Sequence, residues 1–360
     1  MIESIARIII FVCSYILIII SLIPLIRRDN WIFRIFEYPR AQKVFINLLL
    51  IILFLFLSDL HQTHHNILLT LLICNGGYLL FQIWPYTVFS GHQLKKTREY
   101  VDTKAIRLLI FNVYQENRDV NSCLRTIQEH GPDVVLLVET DKWWKTQLDN
   151  SLLKLYKYTV SKPLDNTYGM MLYSRLELIN PKVKFLVEDD IPSIHTEVQL
   201  TSGEVFRLFC LHPKPPVPTE NARSTERDAE ILLVAKQAKA SDLPVIVAGD
   251  LNDVAWSYTT ELFLKTSELL DPRRGRGFFS TFHANHWFLR WPLDHVFCSK
   301  HFQLNKLQRL PQAGSDHFPI LIELVLHQEE AYNNSNKVLK ATRAEKLQAN
   351  KKIEKTTRQK

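Results

Sequence analysis

The sequence predicts an α/β protein: two β-sheets packed face to face with helices outside, preceded by membrane-spanning helices. Three observations predict it. Apolar runs of membrane length fill the first 90 residues. From residue 105 onward, short apolar strands alternate with polar loops and a few helices. Strands mixed with few helices bury their apolar faces as packed layers. Finally, carboxylates, amides and imidazoles recur where those strands end.

Residues 5 to 26 are apolar except for Arg7 near one edge. A run of about 20 such residues crosses a bilayer. It lacks a small-residue cleavage site and is followed by Arg27-Arg28, which argues against a removable leader. Further runs lie at 44 to 57 and 67 to 84. The second is short unless Ala41 to Lys43 and Asp59 snorkel at its ends. Three spans are expected. The loop from 27 to 43 holds Arg27, Arg28, Arg34, Arg40 and Lys43, whereas that from 58 to 66 holds Asp59 and three His but no Lys or Arg. The positive-inside rule puts the first loop in the cytoplasm, and with it the domain that follows the third span. Lys95, Lys96 and Arg98 agree. The weak second span leaves the opposite topology open. Trp31, Trp84 and Tyr86 suit an interfacial belt.

Cys13 and Cys74 lie in apolar spans, and Cys123, Cys210 and Cys298 form no CxxC pair. Small buried residues are the expectation, not disulfides or a zinc site. Net charge is +7, which by itself suggests an anionic partner. From 329 to 360, however, nine Lys/Arg and four Glu give +5. That tail is poor in large apolar residues and reads as disordered or as a lone solvated helix.

The domain elements follow in order. Arg107 to Val113 is a strand carrying Asn112 at its end, and Asp119 to His130 is a helix with Val120, Leu124 and Ile127 on one face. Gly131-Pro132-Asp133 breaks it. Val134 to Val138 is a buried strand followed by Glu139, and Tyr168 to Arg175 is another strand. His195 to Leu200 and Val205 to Leu211 alternate as a hairpin around Gly203, and the second arm ends at His212. Ala222 to Lys239 is a long helix. Val245 to Gly249 is a buried strand delivering Asp250 and Asn252, two residues apart and so expected on one side of an extended chain. Leu293 to Cys298 and Pro319 to Leu326 complete the set.

A single strand-end Asp or Asn is usually a turn former. Asn112, Glu139, His212, the Asp250 and Asn252 pair, and Asp294 come from different strand ends, and Asp316-His317 joins them. Such edges are where enzymes gather catalytic groups. Hard oxygen donors without Cys suit Mg2+ or Mn2+. An Asp-His pair suggests an imidazole held in one tautomer. A phosphate ester needs a metal, a base for water and donors for developing charge, and this set offers all three.

These residues carry a resemblance. Phe111-Asn112-Val113, the run Pro132 to Glu139, Tyr168 to Arg175, Leu211-His212-Pro213, Gly249-Asp250-Leu251-Asn252, Leu293-Asp294-His295-Val296 and Gly314 to Pro319 stand in this order. The ordered set, covering about 105 to 326, resembles the endonuclease/exonuclease/phosphatase (DNase I-like) superfamily. The runs from His212 to Pro216 and from Pro292 to His295 resemble a bacterial subgroup with amino-terminal membrane spans. The resemblance implies a four-layer α/β sandwich of two mixed β-sheets flanked by helices. It also implies phosphodiester hydrolysis with Mg2+ (or Mn2+). Glu139 is implied as principal metal ligand, with Asn112 positioning metal or phosphate and Asp316 assisting. Asp250 is implied to activate or orient water, Asn252 to hold water and phosphate, and His317 to stabilise charge or act as acid/base. Asp294 is implied to orient His317, and His212 to contact phosphate or leaving group. Tyr114 departs from the family pattern, where a carboxylate is common.

The expected organisation is a membrane region at 1–90, a linker at 91–104, a catalytic domain at 105–326 and a basic tail at 327–360. The expected protein sits in the bacterial inner membrane with its catalytic domain in the cytoplasm, touches membrane lipid and shows no obligate protein partner. Its expected substrate is a phosphodiester of nucleic acid or a lipid headgroup. A nuclease/phosphodiesterase leads; a phospholipase C-like or inositol-phosphate phosphatase is the alternative, and a non-enzymatic tethered binding protein the third. The aromatic segment 278 to 291 suits base stacking, a membrane interface or the domain core. Lys214, Arg223 and Arg227 suit a phosphate channel or solvated faces.

Overall fold

Each sheet is organised around one parallel strand pair, and each pair exists because a helix carries the chain back across the sheet. The computed structural model describes residues 2–58, 61–327 and 335–357. Helices α1 (Ile2–Leu22), a one-turn α2 (Trp31–Arg34), α3 (Arg40–Leu57) and α4 (Thr63–Ile83) come first. The domain then runs β1 (Ala105–Asn112), α5 (Val120–His130), β2 (Val134–Val138), α6 (Lys142–Leu152), β3 (Tyr158–Lys162) and β4 (Met170–Ser174). It continues with β5 (Glu177–Lys184), β6 (Ser193–Gln199), β7 (Val205–Leu211), α7 (Thr225–Lys239), β8 (Val245–Asp250) and α8 (Tyr258–Ser267). It closes with β9 (Asp294–Cys298), β10 (Phe302–Arg309), β11 (Ile320–Leu326) and α9 (Arg343–Thr357).

One sheet has the order β10-β11-β1-β2-β4-β3, the other β5-β6-β7-β8-β9. β1–β2 and β7–β8 are parallel, and their other neighbours antiparallel. Alternate residues serve two cores. Ile106, Leu108 and Ile110 face Leu208, Ile246 and Ala248 between the sheets. Leu109 and Phe111 face Cys123, Ile127 and Trp144 on the helix side. Val245 and Val247 meet Ile231, Val234 and Phe263 on the other. Burial on both faces explains why these strands read as unbroken apolar runs. The result is the expected four-layer sandwich of mixed sheets. Cys123, Cys210 and Cys298 are buried and free, as the sequence suggests.

Topology also decides where polar groups gather. The carboxyl ends of a parallel pair lie together, and an antiparallel neighbour begins at that same edge. Asp250 therefore stands opposite Asp294 at the β8–β9 junction. Ile110 opposite Ile320 brings the approach to β11 beside the end of β1.

Among the described residues, three helices are long and apolar enough to cross a membrane: Ile5–Ile26, Arg40–Leu57 and Thr63–Tyr86. Leu17, Leu50, Phe54, Leu68 and Leu72 form their shared seam. The Asn75 amide donates to Asn47 Oδ1 at 2.9 Å and the Asn47 amide to the Leu72 carbonyl at 3.0 Å, a polar clasp between apolar helices. Ile8, Ile19, Phe56 and Phe81 face outward. The segment between the first two spans contacts the domain that follows the third. Trp31 N–H donates to the Ala222 carbonyl at 2.9 Å, and Arg34 Nη2 to Asp228 Oδ2 at 2.8 Å. Both pieces thus lie at one end of the three-helix bundle. Tyr86 does not join an interfacial belt: it is buried, and its hydroxyl donates to the Ala255 carbonyl at 2.5 Å.

The tail expectation needs correction. Arg343–Thr357 is a helix docked on α7 and α8, neither disordered nor alone. Ala349 is buried against Leu232 and Leu262. Lys352 Nζ bridges Asp29 at 2.8 Å and Asp228 at 2.7 Å. Charge pairing docks a helix with too few large apolar residues to dock by burial alone. Residues 328–334 and 358–360 of that tail, and Asp59, lie outside the described residues. Arg227 also departs from expectation: it is buried, neither solvated nor in a channel, and pairs with Asp228 at 2.9 Å.

Asp228 therefore meets Arg34, Arg227 and Lys352 without solvent. Burial opposes its charge, but Lys352, Arg34 and Arg227 outweigh it and hold the carboxyl well below the usual range. A depressed pKa contributes stability above the unfolded value of about 3.9, and that contribution fades as pH falls below it. Asp228→Ala should cost about 3–5 kcal/mol by stranding buried cations, lowering the thermal midpoint of the detergent-solubilised protein. An unchanged midpoint would refute the assignment.

Candidate active site

The site starts at a glycine. A Cβ on Gly249 would lie 1.9 Å from the Leu211 carbonyl oxygen, and its φ is +143°. Only glycine lets β8 approach β7 this closely. Asp250 follows, fully buried. Its Oδ2 accepts from the Asn112 amide at 3.0 Å, and its Oδ1 from Asn252 N–H at 2.9 Å. Asn252 does not share the volume through strand alternation, because β8 has ended and φ at Asn252 is +51°. A tight turn held by the Asp250 carboxylate places it there. Its amide donates to the Pro213 carbonyl at 3.0 Å, beside His212.

Asn112 bridges the two sheets. The same amide that reaches Asp250 donates to Glu139 Oε1 at 2.7 Å. Glu139 Oε2 accepts from Gln115 N–H at 3.2 Å. Glu139 is thus supported through a backbone donor, and the Tyr114 hydroxyl donates to Glu116. Tyr114 and Glu139 have φ of 58° and 60°, left-handed backbone that costs energy for such side chains and clusters at functional sites.

Asp294 Oδ2 pairs with His317 Nδ1 at 2.8 Å. Ser315 Oγ donates to the Asn112 carbonyl at 2.7 Å and accepts from His317 N–H at 3.0 Å, tying the loop before β11 to the end of β1. His317 Nε2 stands 3.6 Å from Asp250 Oδ2, and His212 Nε2 3.8 Å from the same oxygen. Glu139, His212, Asn252, Asp316 and His317 line one cavity of about 650 Å³. Asn112, Asp250 and Asp294 join it through these bonds. All eight residues singled out from the sequence meet at one place.

Burial pushes the Glu139 carboxyl up to about 7, against the pull of Asn112 and His317. Burial also opposes charge on His317, but Asp294 and Asp250 outweigh it and push the imidazole up to about 10, so it is an imidazolium at neutral pH. Burial lowers His212 to about 4, keeping it neutral. Asp250 is lowered overall, because His317 and His212 outweigh burial.

A divalent cation fits this charge. Glu139, Asp250, Asp294 and Asp316 gather round one imidazolium, and Asp294 Oδ1 is buried without a hydrogen-bond partner. Asp250, Asp294 and His317 place ligand-type atoms within 4.8 Å of one another. Because His317 Nδ1 is committed to Asp294, oxygen donors rather than the imidazole suit a divalent ion.

Two contacts have no sequence signal. The Tyr38 hydroxyl and Arg227 Nη1 both donate to the Asn252 carbonyl, at 2.9 and 2.6 Å. Tyr38 lies between the first two long apolar helices, so that segment reaches the site. In the aromatic segment, the Phe282 ring packs 5.0 Å from His317, while Trp287 is 84% exposed.

The model of the Endonuclease/Exonuclease/phosphatase family matches residues 109–317. No curated protein matches the chain. Among solved structures, D. rerio TDP2 complexed with single strand DNA product is 16% identical with a TM-score of 0.52, over 61% of this chain and 98% of that one. The human Nocturnin catalytic domain with bound sulfate is 17% identical, TM-score 0.50, over 63% and 97%. A Bacteroides thetaiotaomicron endonuclease/exonuclease/phosphatase family protein is 18% identical, TM-score 0.50, over 62% and 96%. At these identities the likeness is one of fold.

Gly249→Ala should force β8 off β7 and shift Asp250, with a loss of at least about 1–3 kcal/mol in stability. Denaturant unfolding checks this; a variant as stable as the parent would contradict the close approach.

Proposed function

The chain belongs to the endonuclease/exonuclease/phosphatase family of hydrolases, and on that premise we propose that it is a membrane-anchored, Mg2+-dependent phosphodiester hydrolase. One observation carries the reading: Asn112 joins Glu139 to Asp250 across two sheets, beside the Asp294–His317 pair, at the floor of one cavity.

In this reading Asp250 accepts the proton of an attacking water, whose oxygen bonds to phosphorus as one P–O ester bond breaks. The leaving oxygen takes a proton from solvent. The His317 imidazolium, fixed by Asp294, faces the developing phosphate charge through Nε2. Asn252 and neutral His212 hold the phosphate and the water. Glu139, oriented by Asn112 and with Asp316 in the same cavity, would hold a divalent cation, which would neutralise charge at the phosphate oxygens. The reacting group is a phosphodiester of nucleic acid or of a lipid headgroup.

The assigned units are a membrane region over 1–90 and a catalytic domain from 105 to 326, tied by residues 91–104. Lys/Arg bias in the first loop supports a cytoplasmic catalytic domain.

Full-length protein in detergent should hydrolyse bis(p-nitrophenyl) phosphate with Mg2+ and stop on chelation. His317→Ala and Asp250→Ala should each lower kcat by about 100-fold or more. Wild-type rates in both variants would sink the site assignment. A reporter fused after Leu326 should read cytoplasmic; an external signal would reverse the topology.

A further inference from the structure

We propose that the ester cut here belongs to a lipid, whose phosphodiester rests on the catalytic floor and whose apolar chain lies along walls built at the membrane. The proposal rests on the hydrolase reading and narrows its substrate.

The first wall comes from the membrane region itself. Trp31, Ile35, Tyr38 and Pro39 line the same cavity as Glu139 and His317. They lie between Ile26, the end of the first span, and Arg40, the start of the second. An active-site wall bounded at both ends by membrane helices sits at the bilayer surface by construction.

The opposite wall leans on a span. Phe282, Leu289, Trp291 and Leu293 line it. Its loop is anchored by the Gln42 amide, which donates to the Phe288 carbonyl at 2.7 Å, and by Phe45 of α3, 6.2 Å from the Phe288 ring. Tyr38 and Trp291 close the two walls edge to face at 5.9 Å. Ile35 and Leu289 of this lining are about half exposed, at 50% and 45%. Such an apolar rim beside membrane helices favours contact with acyl chains over water. Pro215, Pro216, Val217 and Pro218 add a third, equally apolar side.

Charge excludes the competing polymer. Nucleic-acid affinity comes largely from Lys and Arg that neutralise successive phosphates. Among the lining residues Arg34 is the sole Lys or Arg, and it is held by Glu37 at 3.1 Å and Asp228 at 2.8 Å. Lys214, next to the cavity, pairs with Glu188 at 3.2 Å. The remaining charges on the wall are Glu139, Glu220, Asp316 and the His317 imidazolium, a single cation committed to Asp294. A site of this kind accepts one phosphate with a divalent ion and repels a chain of them. Hydrolysis then separates the lipid half from the polar half: water oxygen bonds to phosphorus, one P–O bond breaks, and a phosphomonoester and an alcohol result.

The test uses full-length protein in mixed micelles with Mg2+. Phosphatidylglycerol, phosphatidylethanolamine, phosphatidylinositol and sphingomyelin are offered in short-chain and long-chain forms, beside single-stranded DNA and bis(p-nitrophenyl) phosphate. The expected result is cleavage of a lipid, with kcat/KM at least about tenfold higher for the long-chain form. Ile35→Asp and Leu289→Asp, both at exposed positions, should each cut the long-to-short ratio by about tenfold. Cleavage of bis(p-nitrophenyl) phosphate without any lipid, a preference for DNA, or an unmoved ratio in both variants would overturn the lipid assignment and leave the hydrolase standing. No cleavage of any probe would overturn both.

Discussion

The Asn112 amide joins the two sheets at the edge where the candidate site lies. One nitrogen donates to Glu139 on its own sheet and to Asp250 on the other. The acceptors, buried Asp250 and half-buried Glu139, are carboxylates that would repel each other without a donor between them. The bond requires β1 and β8 to end at one level, and the parallel pairs β1–β2 and β7–β8 secure that. Ser315 reinforces the same point by holding the Asn112 carbonyl and the His317 amide together.

A second cluster of charges holds the pieces of the chain as one body. Asp228 takes Arg34 from the segment between spans, Arg227 from its own helix and Lys352 from α9. A buried carboxylate among cations is a weak source of net stability but a strict one, since removing a single partner strands the rest. Its effect reaches the site: Arg227 and Tyr38 both hold the Asn252 carbonyl. The segment between the first two long apolar helices is therefore part of the frame that fixes the turn at Asn252, and the cavity it walls is apolar on that side.

The candidate site was legible because strand-end polar residues break an otherwise apolar pattern. Asp250, Glu139 and Asn112 each follow a buried run, so each stands out. The strands with clear apolar runs were legible for the same reason. β3, β5 and β10, with their mixed and partly exposed residues, were not. Tail helix α9 was misread because its docking rests on Lys352 and Ala349, not on an apolar stripe. Asn252 was placed in the right volume for the wrong reason, through strand alternation where a left-handed turn does the work.

By itself the sequence determined the two-sheet layering, the apolar spans and the types of group available for chemistry. These follow from local period and residue type, which each segment carries independently. Tertiary structure alone decided that Tyr38 and Arg227 share one carbonyl, and that residues between two long apolar helices wall the cavity. Such contacts join segments far apart in the chain, and their geometry is set by sheet register and helix docking, which no local pattern encodes.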